Sequence, residues 1–190
     1  EEALEITKIH SISGEIEKGG GLRTIRPFRR PHHTSSPVSI IGGGRIPKPG
    51  EISLAHFGVL FLDEVHELKS ECQEKLFLFM DKGIYHRVGD NDKWYKSKVR
   101  LIFATTENPE NVLLKTLLRR IPMTITIPSM GQRSVQEKIE LIYKLFRDEE
   151  QRLQCKIKMS NKVYNTLLSS KLAGNIGELK SIIQSCCVNS

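Results

Sequence analysis

The sequence predicts an α/β fold, with buried parallel strands in its first two thirds and an all-helical tail. Three observations carry that prediction. The run Val59-Leu-Phe-Leu-Asp-Glu64 sets four apolar residues against two carboxylates, the pattern of a strand buried on both faces that stops at the rim of a parallel sheet. A second run, Lys98 to Thr105, is apolar in its middle and ends in Thr106-Glu107-Asn108. Past Pro128 only helical periodicities remain, led by Val135, Ile139, Ile142 and Phe146.

Open α/β sheets bind ligands where their strands emerge, so the polar tips are the first candidates for chemistry. Neighbouring strand residues point in opposite directions, which lets Asp63 and Glu64 divide a task. One can hold a hydrated magnesium ion while the other orients a water, the division that nucleotide hydrolysis requires. On six residues alone, a core strand closed by an acidic turn fits equally well. A hydroxyl or amide at the second tip, Thr106 or Asn108, can position an attacking water or simply cap the strand.

The 190 residues suffice for one domain or one and a half. Hydrophobic content of 38% with 27% charged residues is ordinary for a globular chain. No apolar run reaches transmembrane length, and the acidic start Glu1-Glu2 is unlike a signal peptide, so the expectation is a cytoplasmic protein without membrane contact. Cys72, Cys155, Cys186 and Cys187 form no Cys-x-x-Cys pair and read as reduced, buried thiols rather than zinc ligands. The net charge of +7 permits contact with nucleic acid without requiring it.

In chain order, residues 3 to 12 predict a short helix, and Gly19-Gly20-Gly21 breaks it before an extended piece at Leu22 to Ile25. From Arg26 to Gly50 the chain is rich in Pro, Gly and Arg, and reads as a long functional insertion. Arg26, Arg29, Arg30, Arg45 and Lys48, with His32 and His33, make it the expected nucleic-acid or partner loop. Gly42-Gly43-Gly44 with Lys48 has the flavour of a phosphate loop, but no Gly-Lys-Ser/Thr occurs anywhere in the sequence. His32 and His33 point apart on an extended chain and have no carboxylate or cysteine near them, so a metal there is not supported.

A helix is predicted from Ser70 to Lys82, with Cys72, Leu76, Phe79 and Met80 on its sheet-facing stripe and Gly83 as its stop. Ile84 to Val88 and Trp94 to Lys98 flank Gly-Asp-Asn-Asp as a β-hairpin. Residues 113 to 120 form a helix ending in Arg119 and Arg120, where cations favour the helix dipole. The sharper reading of that pair is an arginine finger offered to a neighbouring subunit. Thr124 to Ile127 is expected as a third strand. Ser134 to Glu137 is a capping box opening a helix to Leu153, and helices follow at 161–170 and 176–188.

This ordered set resembles an AAA+ ATPase over nearly the whole chain. The resemblance implies ATP and Mg2+ as cofactors and a homo-oligomeric ring, a hexamer. Asp63 and Glu64 match the Walker B pair, with Asp63 on the metal and Glu64 as base. Thr106 matches sensor 1, Arg119 the arginine finger and Arg120 less well, and the hairpin an insertion that precedes sensor 1 in one clade. Residues 1–128 then form the α/β core and 129–190 the helical lid. From Glu1 to Glu64 the text, notably Arg-Pro-Phe-Arg-Arg-Pro-His-His-Thr, resembles magnesium-chelatase-like ATPases of the competence type, which implies a DNA motor. From Phe61 onward, Phe-Leu-Asp-Glu-Val-His-Glu-Leu, Leu-Arg-Arg-Ile-Pro-Met and Asn-Ile-Gly-Glu-Leu-Lys resemble the central domain of sigma-54-dependent activators of the sugar-phosphotransferase-regulated type. That half implies sigma-54 RNA polymerase as partner, and the two resemblances make a mosaic joined at the shared Phe-Leu-Asp-Glu.

Three departures qualify the resemblance. Sigma-54 activators carry a Gly-Ala-Phe-Thr-Gly-Ala loop that touches the sigma factor, and here its slot before Val59 holds the Arg-, His- and Pro-rich loop instead. The Walker A loop and its strand are not in this sequence, so the core is expected to lack one inner strand, to bind ATP weakly alone and to tend toward self-association. The sensor 2 arginine of such proteins corresponds to Gly177.

Overall fold

The computed structural model describes residues 1–16, 19–32, 34–45, 47–170 and 172–188. They divide into two units, Glu1–Met123 and Thr124–Ser190. In the first, helix α1 (Glu2–Ser13) ends at Gly14 in the left-handed region. The segment expected as a loose insertion instead carries short elements: β1 (Phe28–Arg29), α2 (Pro37–Ile41), β2 (Gly42–Gly43), β3 (Lys48–Pro49) and α3 (Glu51–Leu54). Pro37 sits in the first turn of α2 and Ser36 caps it, accepting from the Ser39 N–H. Ile40 and Ile41 are fully buried, so this stretch belongs to the core.

Then come β4 (Val59–Leu62), α4 (Ser70–Lys82), a hairpin of β5 (Ile84–Arg87) and β6 (Asp90–Lys96), and β7 (Arg100–Phe103). Short helices α5 (Pro109–Val112) and α6 (Lys115–Leu118) replace the single helix expected at 113–120. The extended piece read at Leu22 to Ile25 carries no strand, and the first strand of the sheet is β1, selected by its pairing with β4. The hairpin turns at Val88-Gly89, with Gly89 at a φ of 84°, so Asp90, Asn91 and Asp92 belong to β6 and not to the turn.

Strands β1, β4 and β7 form one parallel sheet in that order, with Phe28 opposite Val59, and Val59 opposite Arg100. Leu60 and Leu62 are buried beneath α4, packed with Leu76 and Phe79. Val59 and Phe61, on the other face, are only half-buried, and Phe28 and Ile102 there are exposed. The strand expected at Thr124–Ile127 does not form. No neighbouring strand pairs with it among the described residues, and Met123, Ile125 and Ile127 are exposed.

Two glycines give the phosphate-loop look-alike a structural task. A Cβ on Gly42 would lie 2.6 Å from the Lys48 carbonyl oxygen, and one on Gly43 only 2.2 Å from that of Val88. Both glycines have positive φ and are buried. Ser97, His56 and Glu5 line up in the order of a hydrolytic triad, with His56 Nδ1 3.0 Å from Ser97 Oγ and Nε2 3.1 Å from Glu5. The Ser97 hydroxyl, however, donates to the Ile52 carbonyl, and His56 Nδ1 accepts the Lys98 N–H. The trio is a strut joining α1, α3 and the start of β7.

In the second unit, α7 (Val135–Leu153) opens on the expected capping box, Ser134 with Glu137. It is followed by α8 (Asn161–Ser169) and α9 (Asn175–Val188). Ile142, Leu145, Leu167, Leu179 and Ile183 bury a core of their own. Glu149 is buried as well, bound by Arg152 and by Gln184 of α9. Of the four thiols only Cys72 is buried, where burial raises its pKa to about 11. Cys155 and Cys186 are exposed, contrary to the expectation of buried thiols.

Candidate active site

The carboxyl ends of β1, β4 and β7 bring Arg30, Asp63-Glu64 and Thr105-Thr106 to one rim. Glu64 follows β4 in a left-handed backbone conformation, φ of 46° and ψ of 51°, a strained state for a residue with a side chain. The turn is tied to the neighbouring tip where the Val65 N–H donates to the Ala104 carbonyl. Glu64 Oε2 accepts from the Thr106 N–H at 3.2 Å and from the Thr106 hydroxyl at 3.1 Å. The two residues are 42 apart in sequence. Asp63 accepts the Glu64 N–H on Oδ1 and meets the Arg30 guanidinium at 2.5 Å on Oδ2. That guanidinium also lies over the Phe61 ring, 5.4 Å from its centroid.

Asn108 stands at the same tip, but its side-chain oxygen accepts the Glu110 N–H and caps α5. Arg119 is exposed at the end of α6 and has no partner among the described residues. Arg120 is bound on both carboxylate oxygens of Asp81 at 2.7 and 2.8 Å and lies over Phe77. The hydrogen bond from Arg120 holds the Asp81 carboxyl below its ordinary pKa, and the same contact raises Arg120.

The basic segment is largely neutralised within its own unit. Arg26 meets Glu2, and Arg29 is bidentate on Glu51 with a further contact to Glu15. The Glu51 hydrogen bonds raise Arg29 above its ordinary value despite burial. Arg45 and Lys48 stay exposed beside the glycine turn. His32 Nδ1 lies 2.9 Å from the Thr34 hydroxyl, and His33 is outside the described residues.

Sequence reasoning passed over His66. Its imidazole Nδ1 is 2.9 Å from Thr105 Oγ1 and 3.4 Å from Glu64 Oε2, so it stands between the two strand tips. The signal was its place in Asp-Glu-Val-His, one turn beyond the acidic pair.

A parallel sheet with an acidic pair on its middle strand and a hydroxyl on the adjacent tip is an AAA+-like fold. Solved structures agree at the level of fold. The chain superposes on NtrX from Brucella abortus in complex with ADP with a TM-score of 0.76 at 23% identity, covering 86% of this chain and 39% of that one. A RuvB mutant from Thermotoga maritima gives 0.54 at 17% identity, covering 73% and 42%.

The family described as "Magnesium chelatase, subunit ChlI" matches residues 1–116, more than half of the chain, and the chain belongs to it. The match includes the Glu1–Glu64 stretch that carries the magnesium-chelatase-like resemblance and continues to residue 116. Among curated proteins the chain is 45% identical over 147 residues to the transcriptional regulatory protein LevR of Bacillus subtilis, covering 77% of this chain and 16% of LevR. It is 42% identical over 148 residues to the transcriptional regulatory protein DagR of Salmonella typhimurium, with 78% and 16% covered. The competence protein ComM of Haemophilus influenzae is 34% identical over 131 residues, with 58% and 26% covered. The chain thus spans about a sixth of the length of LevR and DagR.

Proposed function

We propose that this chain is part of an AAA+ ATPase motor that couples ATP hydrolysis to remodelling of sigma-54 RNA polymerase, as a hexameric ring. The observation that carries the reading is the Glu64 carboxylate held by Thr106 at the sheet rim, with Asp63 beside it. Glu64 is the base that orients and deprotonates the attacking water, and Thr106 sets where its carboxylate points. Arg119, free and exposed, is the finger offered to a neighbouring subunit, whereas Arg120 is committed to Asp81. Residues 1–128 act as the core and 129–190 as the lid.

The rim suits a magnesium ion. Asp63 is a partly exposed carboxylate that already accommodates a cation, the Arg30 guanidinium. Mg2+ takes one or two carboxylates and keeps several waters, so Asp63 would hold it. When bound, it neutralises charge on the phosphates. Gly42 and Gly43 are closed by Lys48 and Val88, so this turn is no phosphate cradle. No Gly-Lys-Ser/Thr occurs in the sequence, so these residues alone bind ATP weakly.

Greater identity to two transcriptional regulatory proteins than to a competence protein favours the polymerase over DNA as the remodelled partner. A nucleic-acid role for residues 23–48 has less to draw on, since Arg26, Arg29 and Arg30 each face a carboxylate. The test is nucleotide binding to the chain joined to a phosphate loop. Binding strengthened by Mg2+ in the wild type and indifferent to Mg2+ in Asp63→Asn is expected; equal Mg2+ dependence in both would remove Asp63 from the site.

A further inference from the structure

We propose that His66 is a positioning residue for hydrolysis, an imidazole wedge that sets the spacing between the base Glu64 and the Thr105-Thr106 tip. The inference rests on the ATPase reading above, because it assigns a role toward the same base. Three features of the geometry carry it. First, the ring contacts both tips, with Nδ1 2.9 Å from Thr105 Oγ1 and 3.4 Å from Glu64 Oε2. Second, its side chain is only 18% exposed, so the ring has little room to leave. Third, Glu64 sits in a left-handed backbone state, which is strained for a residue with a side chain. A strained residue persists only where its surroundings over-determine it, and His66 and Thr106 are what surrounds this carboxylate.

The chemistry selects a tautomer. Thr105 Oγ1 accepts the Glu107 N–H and can pair with either form of Nδ1, whereas the Glu64 carboxylate offers only acceptors and so favours a proton on Nδ1. A proton on Nδ1 donates to Thr105 Oγ1 and turns its positive charge toward Glu64 Oε2, 3.4 Å away. The alternative, a proton on Nε2, faces only Glu67 Oε1 at 3.5 Å and leaves Glu64 unserved. With Nδ1–H in place, Oε2 of Glu64 is hydrogen-bonded by Thr106 on one side and faces the polarised edge of the His66 ring on the other, which fixes the carboxylate where it can take a water. Loss of the ring lets the two tips part, which misplaces the base without touching nucleotide contacts.

The test has two arms. On this chain, 15N NMR of the imidazole is expected to show the Nδ1–H tautomer, and Thr105→Val to shift it toward Nε2–H. An Nε2–H signature in the wild type, unchanged by Thr105→Val, would overturn the inference. In the chain joined to a phosphate loop, His66→Ala is expected to lower kcat on the order of 10- to 100-fold with KM unchanged, since small misplacements of a reacting group have effects of that size. His66→Asn, whose amide can replace Nδ1–H, is expected to restore most of it. Turnover that depends on Glu64 and is the same in His66→Ala would overturn this inference alone. Turnover indifferent to Glu64 would overturn the reading beneath it.

Discussion

Arg119 and Arg120 are neighbours in opposite circumstances. One is exposed and without a partner among the described residues, the other is bidentate on Asp81 and stacked on Phe77. Arg120→Ala is therefore expected to lower the melting temperature and Arg119→Ala to leave it unchanged; under the proposed function, Arg119→Ala also removes turnover. Equal melting temperatures for the two variants would contradict that division. Arg30 makes a second residue-scale case, since it holds Asp63 where a metal ion would bind. Both side chains are substantially exposed, so the pair contributes little. Arg30→Ala is expected to tighten Mn2+ binding, read by electron paramagnetic resonance, by about 2- to 5-fold. Weaker Mn2+ binding would count against Asp63 as the ligand.

At the scale of elements, glycines separate backbone need from mere presence. Gly43 has a φ of 127°, and a Cβ there would meet the Val88 backbone, so Gly43→Ala is expected to cost about 2 kcal/mol or more. Gly177 lies in α9 with nothing within 4 Å of an added Cβ, and Gly177→Ala is expected to stabilise by about 1 kcal/mol. Chemical denaturation checks both. The same scale shows what was legible beforehand. Strand β4 with its acidic tip, β7 with its polar tip, α4 and the capped α7 all announce themselves through local pattern and capping chemistry. The two-residue β1 does not, because its only reason to be extended is its pairing with β4, a contact made across about thirty residues. Burial of Ile40 and Ile41 was hidden by their Gly- and Pro-rich surroundings. Thr124–Ile127 failed the other way: it has strand composition but no partner strand. Within the candidate site, Asp63, Glu64 and Thr106 were readable from strand ends, whereas the cation on Asp63 and the His66 wedge exist only once distant segments meet.

For the molecule as a whole, acid should unfold what neutral pH holds. The Asp81 carboxyl is kept below its ordinary value by Arg120, and Glu149 by Arg152 and Gln184. Burial pushes Glu15 up, but His10 and Arg29 together outweigh it and leave it lowered. A carboxyl whose folded pKa is depressed lends stability that is complete above its unfolded value and is lost as pH falls through the folded one. Melting temperature is therefore expected to be level near neutrality and to fall once pH drops below about 4.5; a rise on acidification would contradict these pairings. On the sheet of the first unit Phe28 and Ile102 are exposed beside half-buried Phe61, an apolar surface that favours self-association.

The most direct measurement compares ATP turnover and ATP binding in the wild type and in Glu64→Gln, in the chain joined to a phosphate loop. Binding that is retained while turnover falls by about 100-fold or more is the expected result, since that is the size of a positioned base's contribution. Turnover that survives Glu64→Gln undiminished would show that the acidic pair at this rim is not the hydrolytic centre.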